Sequence, residues 1–212
     1  MSADGVKWLL IDSSGGAAAM MALGRDDVLI AEEAVAGRTF SAMWTEMLQG
    51  LLGVAGWRVE ELQLVGLVNG PGSFTGVRVG LAAAKGLCEA TGAALIAISR
   101  LEVLQGGERV LAVMDAGRDE FYVRDGERES LMGREALAVM SAGREVVTTD
   151  ARVGEVLSGA RMVELKAASA LGLVLQRWSR GERDDVAAVD ANYVRGEKEI
   201  YGRGPAGAGG GV

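Results

Sequence analysis

Short apolar runs punctuated by glycine turns open this chain. Val6 to Asp12, Ala17 to Leu23 and Val28 to Val35 each have the length and content of a strand, with Gly24-Arg25-Asp26-Asp27 turning between the last two. They predict an antiparallel meander. From Phe40 to Leu52 the period changes: Phe40, Met43, Trp44, Met47, Leu48, Leu51 and Leu52 recur at helical spacing. Their arc covers roughly half of a helical wheel, wider than the ~100° stripe that one buried face needs. Two readings are open, a helix sunk deep in the core and a helix with a second apolar face for another protein. A strand at Leu62 to Asn69, an alanine-rich helix from Val77 to Ala90 and a strand at Ala94 to Ile98 follow, with Gly92 as the helix stop. Ser99 and Glu102 have the spacing of a capping box for a short helix ending near Gly106-Gly107.

The second half repeats that order of elements without repeating its residues. A strand at Arg109 to Met114 ends at Asp115, and strands at Glu120 to Arg124 and Arg128 to Met132 flank the turn Asp125-Gly126-Glu127. A helix at Arg134 to Ser141, a strand at Glu145 to Thr149, and helices at Arg152 to Leu157 and Ala167 to Arg180 complete it. Two βββαβα units of mixed sheet flanked by helices are the α/β arrangement of the actin and sugar-kinase superfamily, which is ribonuclease H-like. The expected division is 1–106 for the first subdomain, 107–201 for a shortened second one with a packed-back extension, and 202–212 for a disordered glycine-rich tail. Asp12 and Asp115 then fall in matching turns on a shared crevice. Such an aspartate either approaches nucleotide phosphates and their metal or caps its own turn.

Between the Leu62 strand and the alanine-rich helix lies Gly70-Pro71-Gly72-Ser73-Phe74-Thr75-Gly76. It is no Walker loop, because position five after Gly70 is Thr75 and after Gly72 is Val77, and it lacks the Gly-x-Gly-x-x-Gly spacing. Ser73 or Thr75 can cap the helix. Gly70, Gly72 and Ser73, with Asp12, Ser13 and Asp115, are candidates to face an anion or nucleotide. The alternative is that the glycines admit a close neighbour. Gly76, Gly80 and Ala84 recur every four residues and predict one nearly bare helix side on which another helix could lie.

Composition narrows the chemistry. The chain holds no histidine and one cysteine, Cys88, which excludes an intrachain disulfide and removes histidine- or cysteine-based zinc sites and Ser-His or Cys-His catalysis. Carboxylate-only metal sites stay open. With 22 Lys plus Arg against 29 Asp plus Glu, the net charge of -7 disfavours direct attraction to RNA phosphates. The Val6 to Ile11 run is too short for a signal sequence, and apolar runs fall short of the ~20 residues of a membrane span. The chain is expected to be cytoplasmic.

The run Gly70 to Gly80, Gly-Pro-Gly-Ser-Phe-Thr-Gly-Val-Arg-Val-Gly, closely resembles the signature of the TsaB (YeaZ) family, the partner subunit in bacterial threonylcarbamoyladenosine synthesis on tRNA. Leu10-Ile11-Asp12-Ser13-Ser14, Asp115-Ala116 with Glu120-Phe121-Tyr122, and Tyr193-Val194-Arg195 extend the resemblance along most of the chain. It implies a non-catalytic subunit that supports a TsaD-type enzyme in threonylcarbamoyl transfer to tRNA adenosine. It also implies a TsaE-type ATPase as a third component, a homodimer when the partner is absent, and contact with tRNA only indirectly. ATP or ADP would bind at the complex interface, with no cofactor in the isolated chain. The resemblance places the partner interface on Phe40, Met43, Trp44, Met47, Leu51, Gly76, Val77, Gly80 and Ala84, and assigns no catalytic or metal-binding residue. Three departures stand out: Phe40 where relatives often carry histidine, Gly117 inserted before Arg118 where they tend to read Asp-Ala-Arg, and Ala191 for a proline. Where TsaD carries its histidine-rich metal motif, this chain has Ser99-Arg100-Leu101-Glu102-Val103-Leu104. The alternative reading is a small actin-fold ATPase or kinase using Asp12 and Asp115 around magnesium-bound phosphates.

Overall fold

A computed structural model describes residues 5–194, so the expected tail at 202–212 and Arg195 lie outside the described residues. Strands β1 (Lys7–Asp12), β2 (Ala18–Arg25) and β3 (Val28–Ala36) form the expected antiparallel meander. β4 (Leu64–Val68) and β5 (Ala94–Ile98) add to it in parallel, giving the order β3-β2-β1-β4-β5. β4 is buried at every position because helices cover both faces of the sheet there, which is why it reads as a continuous apolar run.

The second sheet has the matching order: β8 (Arg128–Gly133), β7 (Glu120–Asp125), β6 (Leu111–Gly117), β9 (Val146–Thr148) and β10 (Arg161–Met162). This duplicated α/β topology is the actin-like, ribonuclease H-like fold. Sequence reasoning passed over β10, a two-residue strand whose residues are both exposed and which therefore carries no apolar signature.

Helices α1 (Phe40–Ala55) and α2 (Phe74–Thr91) cover one face of the first sheet, and with it they enclose Leu9, Ile11, Met21 and Val65. α2 starts three residues before the expected Val77, because Ser73 is its N-cap and accepts from the Gly76 N–H at 3.3 Å. Each large apolar side chain buried here contributes on the order of 1.5–3 kcal/mol.

The remaining helices cross between the halves. α3 (Arg100–Gln105) follows β5 but lays Leu101 and Leu104 on Ala112, Met114 and Val147 of the second sheet. α6 (Ala167–Ser179) follows β10 but lays Ala170, Leu171 and Val174 on Trp8, Leu10 and Ile96 of the first. α4 (Arg134–Ser141) and α5 (Ala151–Val156) cover the second sheet's other face through Leu137 and Val153. The first sheet ends with β5 and the second begins with β6, while each half lends a helix to the other's core. Among the described residues no helix is long and apolar enough to cross a membrane.

Candidate functional site

The glycine loop closes against the turn that follows β1. Ser73 N–H donates to Ser14 O at 2.8 Å, and Ser13 Oγ donates to Gly76 O at 2.7 Å. A Cβ on Gly72 would stand 2.1 Å from Ser14 O, one on Gly76 2.1 Å from Ser13 O, and one on Gly80 2.1 Å from Ser13 Oγ. The glycines are there because two backbones touch. Of the two readings of this loop the geometry favours packing, since the Ser73 and Gly76 N–H groups already have protein acceptors. The bare side of α2 is likewise filled from within: Ser13 and Ile11 lie over Gly80, and Ala84 is wholly buried. That corrects the expectation that a partner helix occupies it.

The two aspartates make the same turn. Asp12 Oδ1 accepts from Ser14 N–H at 2.9 Å and Ser14 Oγ at 2.5 Å, and Asp115 Oδ1 accepts from Gly117 N–H at 3.0 Å. Both therefore cap their own backbone. Asp12 lines a cleft of about 640 Å³ between the halves, together with Glu32, Arg100, Asp150, Glu164 and Lys166. Asp115 is not among the described residues that line it, whereas its hydrogen-bond partner Asp150 is. The Asp115 N–H donates to Asp150 Oδ2 at 2.9 Å, and its carboxylate lies 3.8 Å from Arg152 Nε. Arg118 sits in a left-handed turn with φ 56° and is exposed, so the guanidinium beside Asp115 comes from α5. Sequence reasoning missed Asp150 and Arg152, since an acid after a strand and a base in a helix are ordinary residues until the fold joins them.

Electrostatics elsewhere in the chain are structural. Arg134 and then Arg152 hold the exposed Asp119 carboxyl below its usual range. Burial, with the Glu89 charge adding to it, pushes the Cys88 thiol up to about 11. Among the described residues no group of three or more acidic, histidine or cysteine side chains is placed to hold a metal ion.

Most of the expected interface side chains face inward. Phe40, Met47, Leu51, Val77, Gly80 and Ala84 are buried in the chain's own core, and Met43, Trp44 and Gly76 are half-buried. The wide apolar arc of α1 is filled by the first sheet together with α2. What the pair turns to solvent is a different set: Ala42, Gln49, Gly53 and Val54 on α1, and Thr75, Ala82, Gly86 and Ala90 on α2. Small residues alternate there with the exposed Glu46, Arg78 and Glu89, and Val54 is 70% exposed. At its edge Phe74 is 40% exposed, its ring 5.9 Å from that of Tyr193, and Arg78 Nε donates to the Tyr193 hydroxyl at 2.7 Å.

Comparison with known proteins agrees with this architecture. Residues 33–170 match the family model described as TsaD: tRNA N6-adenosine threonylcarbamoyltransferase. Two curated relatives are each named tRNA threonylcarbamoyladenosine biosynthesis protein TsaB. The one from Escherichia coli (strain K12) is 30% identical over 128 residues, and the one from Haemophilus influenzae 32% over 130. The matches cover 57% and 58% of this chain and 55% of each relative, so the chain spans little more than half the length of the curated relatives it matches. A solved structure from Pseudomonas aeruginosa, described as an uncharacterized protein with similarity to peptidase YEAZ, superposes with a TM-score of 0.76 at 26% identity. It covers 90% of this chain and 100% of that one. A second, described as YeaZ from Pseudomonas aeruginosa, gives 0.75 at 25% identity over 89% and 99%.

Proposed function

The chain belongs to the TsaD family of tRNA N6-adenosine threonylcarbamoyltransferase, in its TsaB (YeaZ) group, and from that membership we propose a non-catalytic partner subunit for a TsaD-type enzyme. In this reading it supports threonylcarbamoyl transfer to adenosine in tRNA. The observation that carries the reading is the solvent face of α1 and α2, where the small residues Ala42, Gly53, Ala82, Gly86 and Ala90 lie beside the exposed Val54 and Phe74. Small side chains let another helix approach closely, and apolar surface left on an exposed helix pair marks an association site. A chain without histidine lacks the commonest metal ligand and general base, which fits a supporting role.

The same face is proposed to pair with a second copy when the partner is missing. A TsaE-type ATPase joins as a third component, ATP or ADP binds only where subunits meet, and the net charge of -7 leaves tRNA to the partner. Co-expression with the cognate TsaD-type protein tests the central claim. Recovery of a stoichiometric complex that dissociates when Ala82 is replaced by Arg is the expected result; separate elution of the two chains, with nucleotide and the ATPase present, overturns it.

The ATPase reading draws on the cleft that Asp12 lines, where Asp115 is not among the lining residues. Calorimetric titration of the isolated chain with magnesium-ATP separates the two, and saturable binding there would favour the ATPase.

A further inference from the structure

Sequence after α6 turns back across both halves. Asp184 N–H donates to Leu95 O at 2.9 Å, and Ala97 N–H donates to Asp184 Oδ2 at 2.7 Å, which closes the free edge of β5. Farther on, Lys85 Nζ reaches Ala187 O at 3.0 Å, and Asn69 Nδ2 reaches Asp190 O at 3.1 Å. To this point the segment serves the first half only.

Asn192 changes that. Its N–H donates to Asn69 O at 2.8 Å beside the glycine loop, while its Nδ2 donates both to Ser99 Oγ at 3.2 Å and to Glu129 Oε2 at 2.8 Å. Ser99 is where the chain passes from β5 in the first sheet to α3 on the second. Glu129 belongs to β8, and its other oxygen accepts from Arg124 Nη1 at 2.9 Å, so it is a fixed anchor with a side chain only 14% exposed. Two residues later Val194 packs against the cluster that α3 forms with the second sheet.

We propose that residues 182–194 are a strap that sets the angle between the two halves, with Asn192 as its pin. The halves are joined covalently at the crossing after β5 and again at the one before α6. Val103 and Leu165 pack between them, and the bond from Asn192 to β8 adds a polar tie that resists their rotation. The strap thereby fixes the width of the cleft that Asp12 lines. It also holds Tyr193 against Phe74 and Arg78 at the start of α2. The proposal does not rest on the partner-subunit reading.

Hydrogen-deuterium exchange on the full chain tests it, read at 94–105 and 128–133 in Asn192→Ala, Glu129→Ala and Glu129→Gln. Losing a hydrogen bond to a charged group predicts exchange faster by on the order of tenfold at both stretches in the two alanine variants. Glu129→Gln, which keeps an acceptor oxygen, should stay nearer to the parent. Faster exchange confined to 185–194, or to one side of the cleft, overturns the proposal. Should Asn192→Ala fail to fold, Glu129→Ala decides alone, because it leaves the strap's backbone bonds intact. Partner binding is not read in this experiment, so its outcome and that of the co-expression test stand apart.

Discussion

Asp12 at the end of β1 and Asp115 two residues before the end of β6 cap equivalent turns, at 2.9 Å to Ser14 N–H and 3.0 Å to Gly117 N–H. Their outward surroundings differ: the first borders the cleft, and the second lies beside Arg152. The two halves share the turn chemistry and differ in what surrounds it.

The Asp12 cap can be measured directly. Asp12→Ala removes the one oxygen that accepts from both donors of the buried Ser14 and should cost about 1–3 kcal/mol in urea unfolding. Asp12→Asn keeps one carbonyl oxygen for the turn and should cost within about 1 kcal/mol. Equal losses in the two variants would mean that the carboxylate charge matters, beyond the turn.

The glycine contacts predict an order of sensitivity. Gly76→Ala drives a methyl against the Ser13 backbone carbonyl and should cost about 3 kcal/mol or more, while Gly80→Ala meets only the Ser13 hydroxyl and should cost about 1–2 kcal/mol. Adding Ser13→Ala should recover part of the Gly80→Ala loss, with a coupling of about 1 kcal/mol in a double-mutant cycle. An additive cycle would place the strain elsewhere.

Cys88 should be inert in the folded chain. Its thiol, 3% exposed and with a pKa raised to about 11, stays protonated at neutral pH, so thiol reagents should label it only after denaturation. Because the folded value lies above the unfolded one near 9, the stability this thiol contributes is complete below about pH 9 and is lost as pH rises toward 11. Rapid native-state labelling at pH 8 would contradict the burial.

Stability and docking should separate on α1 and α2. Met47→Ala empties a buried site and should cost about 2–5 kcal/mol. Ala82→Arg, on the solvent face, should leave unfolding within about 0.5 kcal/mol while weakening association with a partner or a second copy. Retained association in Ala82→Arg would move the docking surface off this face.

Much of this protein is written in local order. Runs such as Val6 to Asp12 and Ala94 to Ile98 declare their strands, and Ser73, Gly92 and Gly106 mark helix ends, because periodicity, capping and positive φ depend on a few neighbouring residues. The duplicated order of elements follows from the same signals. β10 escaped them since two exposed residues have no period to read.

Local order does not say which neighbour fills a space. The breadth of the α1 arc announces a second contact, and the missing side chains at Gly76 and Gly80 announce a close one. In both cases the contact proved to be the chain itself, α2 in one instance and Ser13 in the other. Nor could Asp12 and Asp115 be told apart by their turns. The first borders a cleft lined by Arg100 of α3 and by Lys166 and Ala167 at the start of α6, and the second lies beside Arg152 of α5. Those are contacts between residues far apart along the chain, made only once both sheets have formed, and no window of sequence contains both partners.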